Sequence, residues 1–422
     1  MNAFLTISEA KSLDSSDPLR SYREMFHIPK WNKQDCIYLT GNSLGLQPKG
    51  AKKAVLQELE DWKVLGVEGH FKAKNPWMPY HEFFSKSIAR LCGSLPEEVV
   101  SMGSLTANLH FAFASFYRPT KDRQMILCEK KAFPSDRYAI VSQLELHGYG
   151  ENELIEVAGS DKSGVPDDDE ILKAIEKYGD QISVLLIGGV NYFTGRLYDI
   201  KKITEAAKIK GINVGWDLAH AMGNTPLSLN KWNVDFAAWC TYKYLNAGPG
   251  STAGLFIHKK HHEKNLPKYA GWWGHNKSSR FKMGTRFDPI KTAEAWQVSN
   301  APVLSMASLR ASLDIFDLVP FEQLRNKSLL LSNKLIQMLD DIKNKTGEEI
   351  EIITPREDSK RGGQVSVHFV NRDRVFFEKI SNLGVFADWR EPGTIRMAIA
   401  PLYNSFEDIS RLEKVIYESL EK

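Results

Sequence analysis

The stretch Trp239-Cys240-Thr241-Tyr242-Lys243-Tyr244-Leu245-Asn246-Ala247-Gly248 decides how the rest of the chain is read. Just before it, Val234-Asp235-Phe236-Ala237-Ala238 is short, apolar and carries β-branched and aromatic residues, the pattern of a buried strand. Gly248-Pro249-Gly250 follows as a loop. Lys243 therefore stands where a strand runs out, among aromatic and small residues. Such surroundings penalise an ammonium and draw a lysine pKa from about 10.4 toward roughly 7–8. A Schiff-base lysine needs that shift, because only the neutral amine attacks a carbonyl. A lone lysine at a loop start is ordinarily a surface residue. A second segment changes the reading. Asn213-Val214-Gly215-Trp216-Asp217-Leu218-Ala219-His220-Ala221 also has the pattern of a buried strand, and it ends in an acid. An aspartate there is costly without a charged or hydrogen-bonding partner. A pyridinium N–H is such a partner, and a Schiff-base lysine with an aspartate on the ring nitrogen is the recurrent arrangement of pyridoxal phosphate (PLP) enzymes.

The 422 residues allow two or three domains, and 42% hydrophobic with 25% charged residues is the balance of a globular enzyme. A net charge of +3, with bases and acids interspersed, gives no nucleic-acid face. The run His258-Lys259-Lys260-His261-His262-Glu263-Lys264 reads as a solvated loop, since no second ligand cluster accompanies it, and no metal site is expected. The four cysteines, Cys36, Cys92, Cys128 and Cys240, form no C-x-x-C pair and lie in or beside apolar stretches, as buried free thiols in a reducing compartment do. Met1 to Thr6 lacks the basic segment and apolar core of a signal peptide, and no apolar run approaches the ~18–20 residues that span a bilayer. A cytoplasmic protein without membrane contact is expected.

From Val99 onward apolar strands alternate with helices: strands at 124–128, 183–190, 213–216, 234–239 and 253–257, with helices at 106–117, 135–146 and 200–210. Continuous apolar strands in βα units imply a mostly parallel, two-sided sheet. Before it, residues 1–45 read as an arm. Residues 49–65 read as a helix with Ala51, Val55, Leu59, Trp62 and Leu65 on one face, and 81–91 as another helix. After long helices at 303–316 and 321–343, Gln364 to Val370 alternates like a half-exposed strand. A helix at 374–383, a strand at 394–399 and a helix at 406–420 complete a smaller α+β domain. The expected division is an arm over 1–45, a large domain over 46–305 and a small one over 306–422. Dinucleotide and P-loop fingerprints are absent.

Three further segments suit PLP. Gly103-Ser104-Leu105-Thr106-Ala107-Asn108 opens an apolar helix with small and hydroxyl residues, a seat for a phosphate, although a plain Ser/Thr N-cap has the same composition. Phe133-Pro134-Ser135-Asp136 lies at a strand-to-helix junction, where an aromatic can stack on a pyridine. His220 follows Asp217 closely, and Tyr242 adjoins Lys243.

Together these segments resemble the kynureninases. The blocks Thr40-Gly41-Asn42-Ser43-Leu44-Gly45-Leu46, Phe133-Pro134-Ser135-Asp136, Tyr192-Phe193-Thr194-Gly195, Asp217-Leu218-Ala219-His220-Ala221, Thr241-Tyr242-Lys243-Tyr244-Leu245-Asn246, Gly271-Trp272-Trp273-Gly274-His275 and Pro401-Leu402-Tyr403-Asn404-Ser405 carry the resemblance nearly end to end. It implies an α/β fold of the fold-type I PLP class and hydrolysis of L-kynurenine or 3-hydroxy-L-kynurenine to anthranilate or 3-hydroxyanthranilate plus L-alanine, a step of tryptophan catabolism. It also implies that Lys243 carries PLP and that Asp217 faces the pyridine nitrogen. Leu105 and Thr106 would hold the phosphate, Phe133 would stack on the ring, and Pro134, Ser135, Asp136, His220 and Tyr242 would complete the cofactor site. Tyr242 is the candidate for protonating the substrate's β-carbon. Trp272 and Asn300 would reach the cofactor from the other subunit of a homodimer. Ser43, His70, Asn300 and Arg396 would bind substrate, with Arg396 taking the α-carboxylate as a bidentate pair. His70 and Asn300 could hydrogen-bond a ring hydroxyl, which favours 3-hydroxykynurenine at least equally. Gly188 departs from relatives that can carry a hydroxyl there, which leaves only its backbone to serve.

The competing readings are another fold-type I enzyme, a cysteine desulfurase or an aminotransferase, and a PLP carrier without catalysis. A desulfurase needs a reactive thiol in a mobile loop, and Cys240 is on a buried strand beside Lys243. A degenerate carrier predicts loss of Lys243, Asp217 or Arg396, and all three are present. A structural interaction protein has no need of a lysine and an acid at buried strand ends.

Overall fold

Short apolar runs buried on both faces build a seven-stranded sheet. The structure, a computed structural model, describes residues 4–420, so the first three residues of the arm and the last two of the chain lie outside it. The strands are β1 (Val99–Ser101), β2 (Met125–Glu129), β3 (Leu154–Val157), β4 (Ile182–Gly188), β5 (Asn213–Asp217), β6 (Phe236–Trp239) and β7 (Gly254–Ile257). Their order is β1-β7-β6-β5-β4-β2-β3. Only β7 runs against its neighbours; the pairs from β6 across to β3 are all parallel. The chain reverses its direction of travel across the sheet between β2 and β4, and such a switch point opens a crevice at the carboxyl ends of the strands. Gly215 in β5 is small for a packing reason: a Cβ there would come within 2.1 Å of the Phe236 ring.

Two elements of this layer escaped the sequence reading. β3 is short and broken by Glu156. The helix Asp168–Tyr178 opens with an Asp167/Glu170 capping box, a signal present in the sequence. The segment read as a helix over 81–91 divides into a 3₁₀ turn, Tyr80–Phe84, and a helix, Ser85–Cys92.

The helix Gly50–Leu65 is where expected, but its apolar face is not a core face. Ala51 is buried, whereas Leu59 is 38% and Trp62 60% exposed. The side turned inward centres on Glu58, which accepts hydrogen bonds from Asn75 Nδ2 (2.8 Å), Trp77 Nε1 (3.0 Å) and Tyr80 Oη (3.0 Å). The run 258–264 is likewise not a solvated loop. His258, His261 and His262 are buried. His261 Nε2 and Lys260 Nζ each lie 2.8 Å from Asp235 Oδ1, and Lys208 Nζ lies 2.6 Å from Oδ2. Burial alone would raise the Asp235 pKa, but the His261 hydrogen bond and the charges of Lys208 and Lys260 more than offset it and hold the carboxyl well below its ordinary value. Asp235 stands at the start of β6, and its carboxylate draws this run onto the body of the domain.

A second, antiparallel sheet has the order β8-β9-β11-β10, from β8 (Ile350–Ile352), β9 (Gln364–Phe369), β10 (Asp388–Arg390) and β11 (Thr394–Ala398). β9 is not half-exposed: five of its six residues are buried. Val365, Val367 and Phe369 enter an apolar cluster with residues of the helices Phe321–Thr346 and Phe406–Leu420. The alternate polar face meets the loop after β4, where Ser366 Oγ donates to Phe193 O (2.6 Å) and Gln364 Nε2 to Tyr192 O (3.0 Å). Alternation marks a polar face, and here that face is covered by backbone carbonyls rather than water.

The N-terminal helix Ile7–Ser16 packs on Phe406–Leu420. Asp14 accepts the N–H groups of Phe406 (2.8 Å) and Glu407 (2.9 Å), and Glu413 accepts those of Phe4 (2.7 Å) and Leu5 (3.2 Å). Ile37–Tyr38 pairs with Val385–Phe386, which leads the following loop toward the large sheet. Among the described residues no helix is long and apolar enough to cross a membrane.

Candidate active site at the carboxyl ends of the large sheet

β6 ends at Trp239, and the chain turns through Lys243 into the loop before β7. Thr241 Oγ1 donates to Thr252 O (2.6 Å) and closes this turn, and Asn246 takes a left-handed conformation (φ 54°). Gly45 lies directly on the turn. Its N–H donates to Tyr242 O at 2.8 Å, and a Cβ on it would stand 2.4 Å from Lys243 O. The Gly41–Gly45 block is therefore a cover for the lysine turn, and Asn42 Nδ2 ties it to Gln364 Oε1 of the small sheet (2.7 Å). Lys243 is 9% exposed. Its Nζ lies 3.0 Å from His220 Nε2 and 5.6 Å from the centre of the Phe133 ring. Burial, with the charges of Lys243, Arg396 and Arg390, holds His220 well below the usual imidazole range, so it faces the amine as a neutral ring.

Three buried acids meet beside it. Asp217, at the end of β5, is level with Gly188 and Ala238 on the adjoining strands, and its Oδ1 accepts the Ala219 N–H (2.7 Å). Asp136 sits in the first turn of the helix Pro134–Leu146, which Pro134 opens. Burial and the hydrogen-bonded Asp217 carboxyl raise Asp136 well above its ordinary value, so it keeps a proton. Glu129 ends β2. Burial, with the Asp217 charge adding to it, pushes its carboxyl up to about 8. Its Oε1 accepts the Gly188 N–H at 3.1 Å, and its Oε2 is buried without a partner. The Gly188 backbone donor is thus taken by Glu129, and a side chain at 188 would meet that carboxyl at 3.1 Å. Glu129 was missed in the sequence although Met125-Ile126-Leu127-Cys128-Glu129 gives the same signal as Asp217, an acid closing an apolar strand.

Opposite the acids, Leu105 and Thr106 begin the helix Leu105–Phe116. Ser104 holds the capping position but its hydroxyl caps nothing. Uncapped N–H groups at a helix start favour an anion. The Thr106 and Ser135 hydroxyls, 2.7 Å apart, face the same space. A cavity of about 340 Å³ joins these groups with Ser43, Phe133, His220, Tyr242, Lys243 and Arg396. Tyr242 hydrogen-bonds the Cys240 thiol, and burial above all raises its phenol, which stays protonated. All four cysteines are free and buried. Burial pushes the thiols of Cys36 and Cys240 up to about 11 and that of Cys92 to about 12, and it raises Cys128 as well, so none is a ready nucleophile.

Arg396 enters from β11 and is buried. Its Nη1 donates to Tyr192 O (2.6 Å), its Nη2 pairs with Asp388, and its Nε has no partner. Arg390, on β10, lines the same cavity. It was missed because β10 is a short polar strand with no apolar pattern. Six expected residues do not line this cavity: Pro134 and Asp136, chain neighbours of the lining residues Phe133 and Ser135, Asp217, which is hydrogen-bonded to Asp136, and His70, Trp272 and Asn300. His70 is half-buried, with Nδ1 2.9 Å from Val67 O. Trp272 is 45% exposed and donates to Arg280 O (3.1 Å), and Asn300 is exposed and accepts from Ser299 Oγ (3.2 Å).

The donor set fits PLP. Its phosphate matches the uncapped helix and two hydroxyls, its ring matches Phe133, its ring nitrogen matches Asp217, and its aldehyde matches Lys243. Asp136 Oδ1 and His220 Nδ1, both buried with no partner in the protein, are the unfinished polar contacts that such a ring would complete.

Solved structures share the fold. A cysteine desulfurase from Thermococcus onnurineus superposes with a TM-score of 0.75 at 17% identity, over 97% of this chain and 98% of its own. A complex of the cystine C-S lyase C-DES with cysteine persulfide gives 0.75 at 16%, over 90% and 97%. Both align with nearly the whole chain, and this chain shares their α/β fold. In sequence the family model for the kynureninase C-terminal domain matches residues 324–416. The kynureninase of Christiangramia forsetii is 47% identical over 417 residues, 97% of each chain. That of Flavobacterium johnsoniae is 46% identical over 413 residues, again 97% of each. Identity at this level over nearly the full length decides among enzymes that share one fold: the chain belongs to the kynureninase family.

Proposed function

We propose that this protein hydrolyses L-kynurenine, 3-hydroxy-L-kynurenine or both to the corresponding 2-aminobenzoate and L-alanine in tryptophan catabolism. The observation that carries the reading is the near-full-length identity with kynureninases, joined to a buried lysine that faces a neutral imidazole beside a buried aspartate. PLP, when bound, supplies an electron sink that acidifies the substrate Cα–H and lets the carbon–carbon bond break. The chain's residues do the rest. Lys243 Nζ is the point of covalent attachment and, once free, the base at Cα. Neutral His220, 3.0 Å from Nζ, hydrogen-bonds the lysine without adding charge beside it. Asp217 holds the proton on the ring nitrogen, and protonated Asp136 donates a hydrogen bond to the Asp217 carboxylate. Thr106, Ser135 and the helix start at Leu105 hold the phosphate. Arg396 binds the α-carboxylate, with Ser43 near the substrate. The protonated phenol of Tyr242 delivers the proton that Cβ needs.

The same reading extends to assembly and specificity. The functional unit is a homodimer in which Trp272 and Asn300 of one chain complete the other's cofactor site. Support comes from their position outside their own chain's cavity and from the exposed apolar side chains Trp62, Val64, Val67 and Phe71. His70 and Asn300 hydrogen-bond the ring hydroxyl of 3-hydroxykynurenine, which is turned over at least as efficiently as kynurenine. The chain divides at about 45 and 305, and the unpaired cysteines suit a cytoplasmic enzyme. The test is product analysis with both substrates: equimolar aryl acid and alanine are expected. Transfer of the amino group to a keto acid, or sulfur release from cysteine without aryl acid, overturns the reading.

A further inference from the structure

Hydrolysis of an aryl ketone changes the number of anions that the site must hold. This inference rests on the reaction proposed above. Water adds at Cγ, the Cβ–Cγ bond breaks with its electron pair passing to Cβ, and Cβ takes a proton. Cγ leaves as an aryl carboxylate, with one proton released. The substrate brings one carboxylate, and the two products together carry two. Arg396 accounts for the one on the amino acid.

The cavity contains a second arginine placed for the other. Arg390 lies on β10, the strand paired with β11. Asp388 stands opposite Arg396 in the register of those strands, and its Oδ2 serves both guanidiniums: it pairs with Arg396 Nη2 and accepts from Arg390 Nη2 at 3.1 Å. One carboxylate between two permanent cations leaves a positive charge uncompensated. The Nε atoms of both arginines are buried without a partner, so each keeps an unused donor. Arg396 is buried, whereas the Arg390 side chain is 41% exposed and stands at the mouth. Its charge also acts at His220, beside Lys243.

We propose that Arg390 receives the aryl carboxylate formed at Cγ, while Arg396 keeps the carboxylate of the amino acid. A guanidinium suits the task because Nε and Nη can take both oxygens of a planar carboxylate. Asp388 is the positioning residue that orients both arginines while no anion is bound. The neutral ketone draws no such contact, so the interaction strengthens as the bond breaks.

The experiment uses the holoenzyme and its Arg390→Gln and Arg390→Lys variants. Inhibition constants are measured for 2-aminobenzoate, for its neutral isostere 2-aminobenzamide and for L-alanine, with the visible absorbance of the cofactor as an independent binding readout. Arg390→Gln is expected to weaken 2-aminobenzoate by about tenfold or more, as loss of a charge-assisted hydrogen bond does. L-Alanine and the benzamide should stay within about twofold, the scale of a substitution away from their contacts. Arg390→Lys should fall between wild type and Gln, which keeps the comparison available if Gln does not fold. Equal weakening of alanine and 2-aminobenzoate would mean that Arg390 acts only through Asp388 and Arg396, and it would overturn the proposal, as would no change in either. Wild-type turnover of kynurenine, measured alongside, separates failure of this inference from failure of the assigned reaction.

Discussion

Glu129 closes β2 with a carboxyl that keeps its proton into neutral pH, because burial and the neighbouring Asp217 charge both disfavour its anion. Its ordinary value is 4.5, against about 8 in the folded chain. Between those values the unfolded chain has lost a proton that the native protein still holds. Stability from this group is therefore complete below 4.5 and falls as pH rises toward 8. Glu129→Gln, which cannot titrate and still accepts from Gly188, should gain on wild type by about 1 kcal/mol per pH unit in that window. Urea unfolding of the cofactor-free proteins at about pH 5.5 and about pH 7.5 measures the gain, and a difference that does not vary with pH would contradict it. Asp217→Asn should lower kcat by orders of magnitude and change KM little, because an amide cannot hold the ring nitrogen protonated; steady-state kinetics and cofactor retention give the split. At this scale Lys243 and Asp217 were legible because each ends an apolar run. Arg390 was not legible, since its place beside Arg396 is set by strand pairing rather than by neighbours in the sequence.

The elements are held by a few contacts that fix where each strand ends. Asp235 joins β5 to the 258–264 run by accepting from Val214 N (2.7 Å) and pairing with Lys208, Lys260 and His261. Asp235→Ala leaves these donors without their acceptor and should cost about 3–5 kcal/mol in a denaturation experiment. A loss under about 1 kcal/mol would place the cluster among ordinary surface pairs. Gly45→Ala should displace the lysine turn, because its Cβ would stand 2.2 Å from Asn246 Oδ1 as well as close to Lys243 O. The expected result is weakened cofactor binding, read by absorbance titration, in a folded protein. The alternation of βα units was plain in the sequence because parallel strands are apolar throughout. The polar face of β9 was read as solvent-facing, since alternation alone cannot tell water from the Tyr192 and Phe193 carbonyls that cover it. The 258–264 run was misread for a related reason: Asp235, which buries it, lies across a hairpin.

Across the whole molecule the N-terminal loop, the large sheet and the small sheet converge on one cavity, and His70, Trp272 and Asn300 are among the expected residues that do not line it. Trp272 and Asn300 are proposed to act in the cavity of a second chain, and no sequence pattern could say which chain's cavity a residue fills. Mixing Lys243→Ala with Trp272→Ala protein should restore activity, because one hybrid site then has both residues intact. No rescue in dimers shown to have exchanged would count against shared sites. Everything rests finally on Lys243, and borohydride reduction of the holoenzyme followed by peptide mapping tests it most directly. The pyridoxyl label is expected on the single peptide that contains Lys243. A label on any other lysine, or a protein that takes up no PLP, would contradict it.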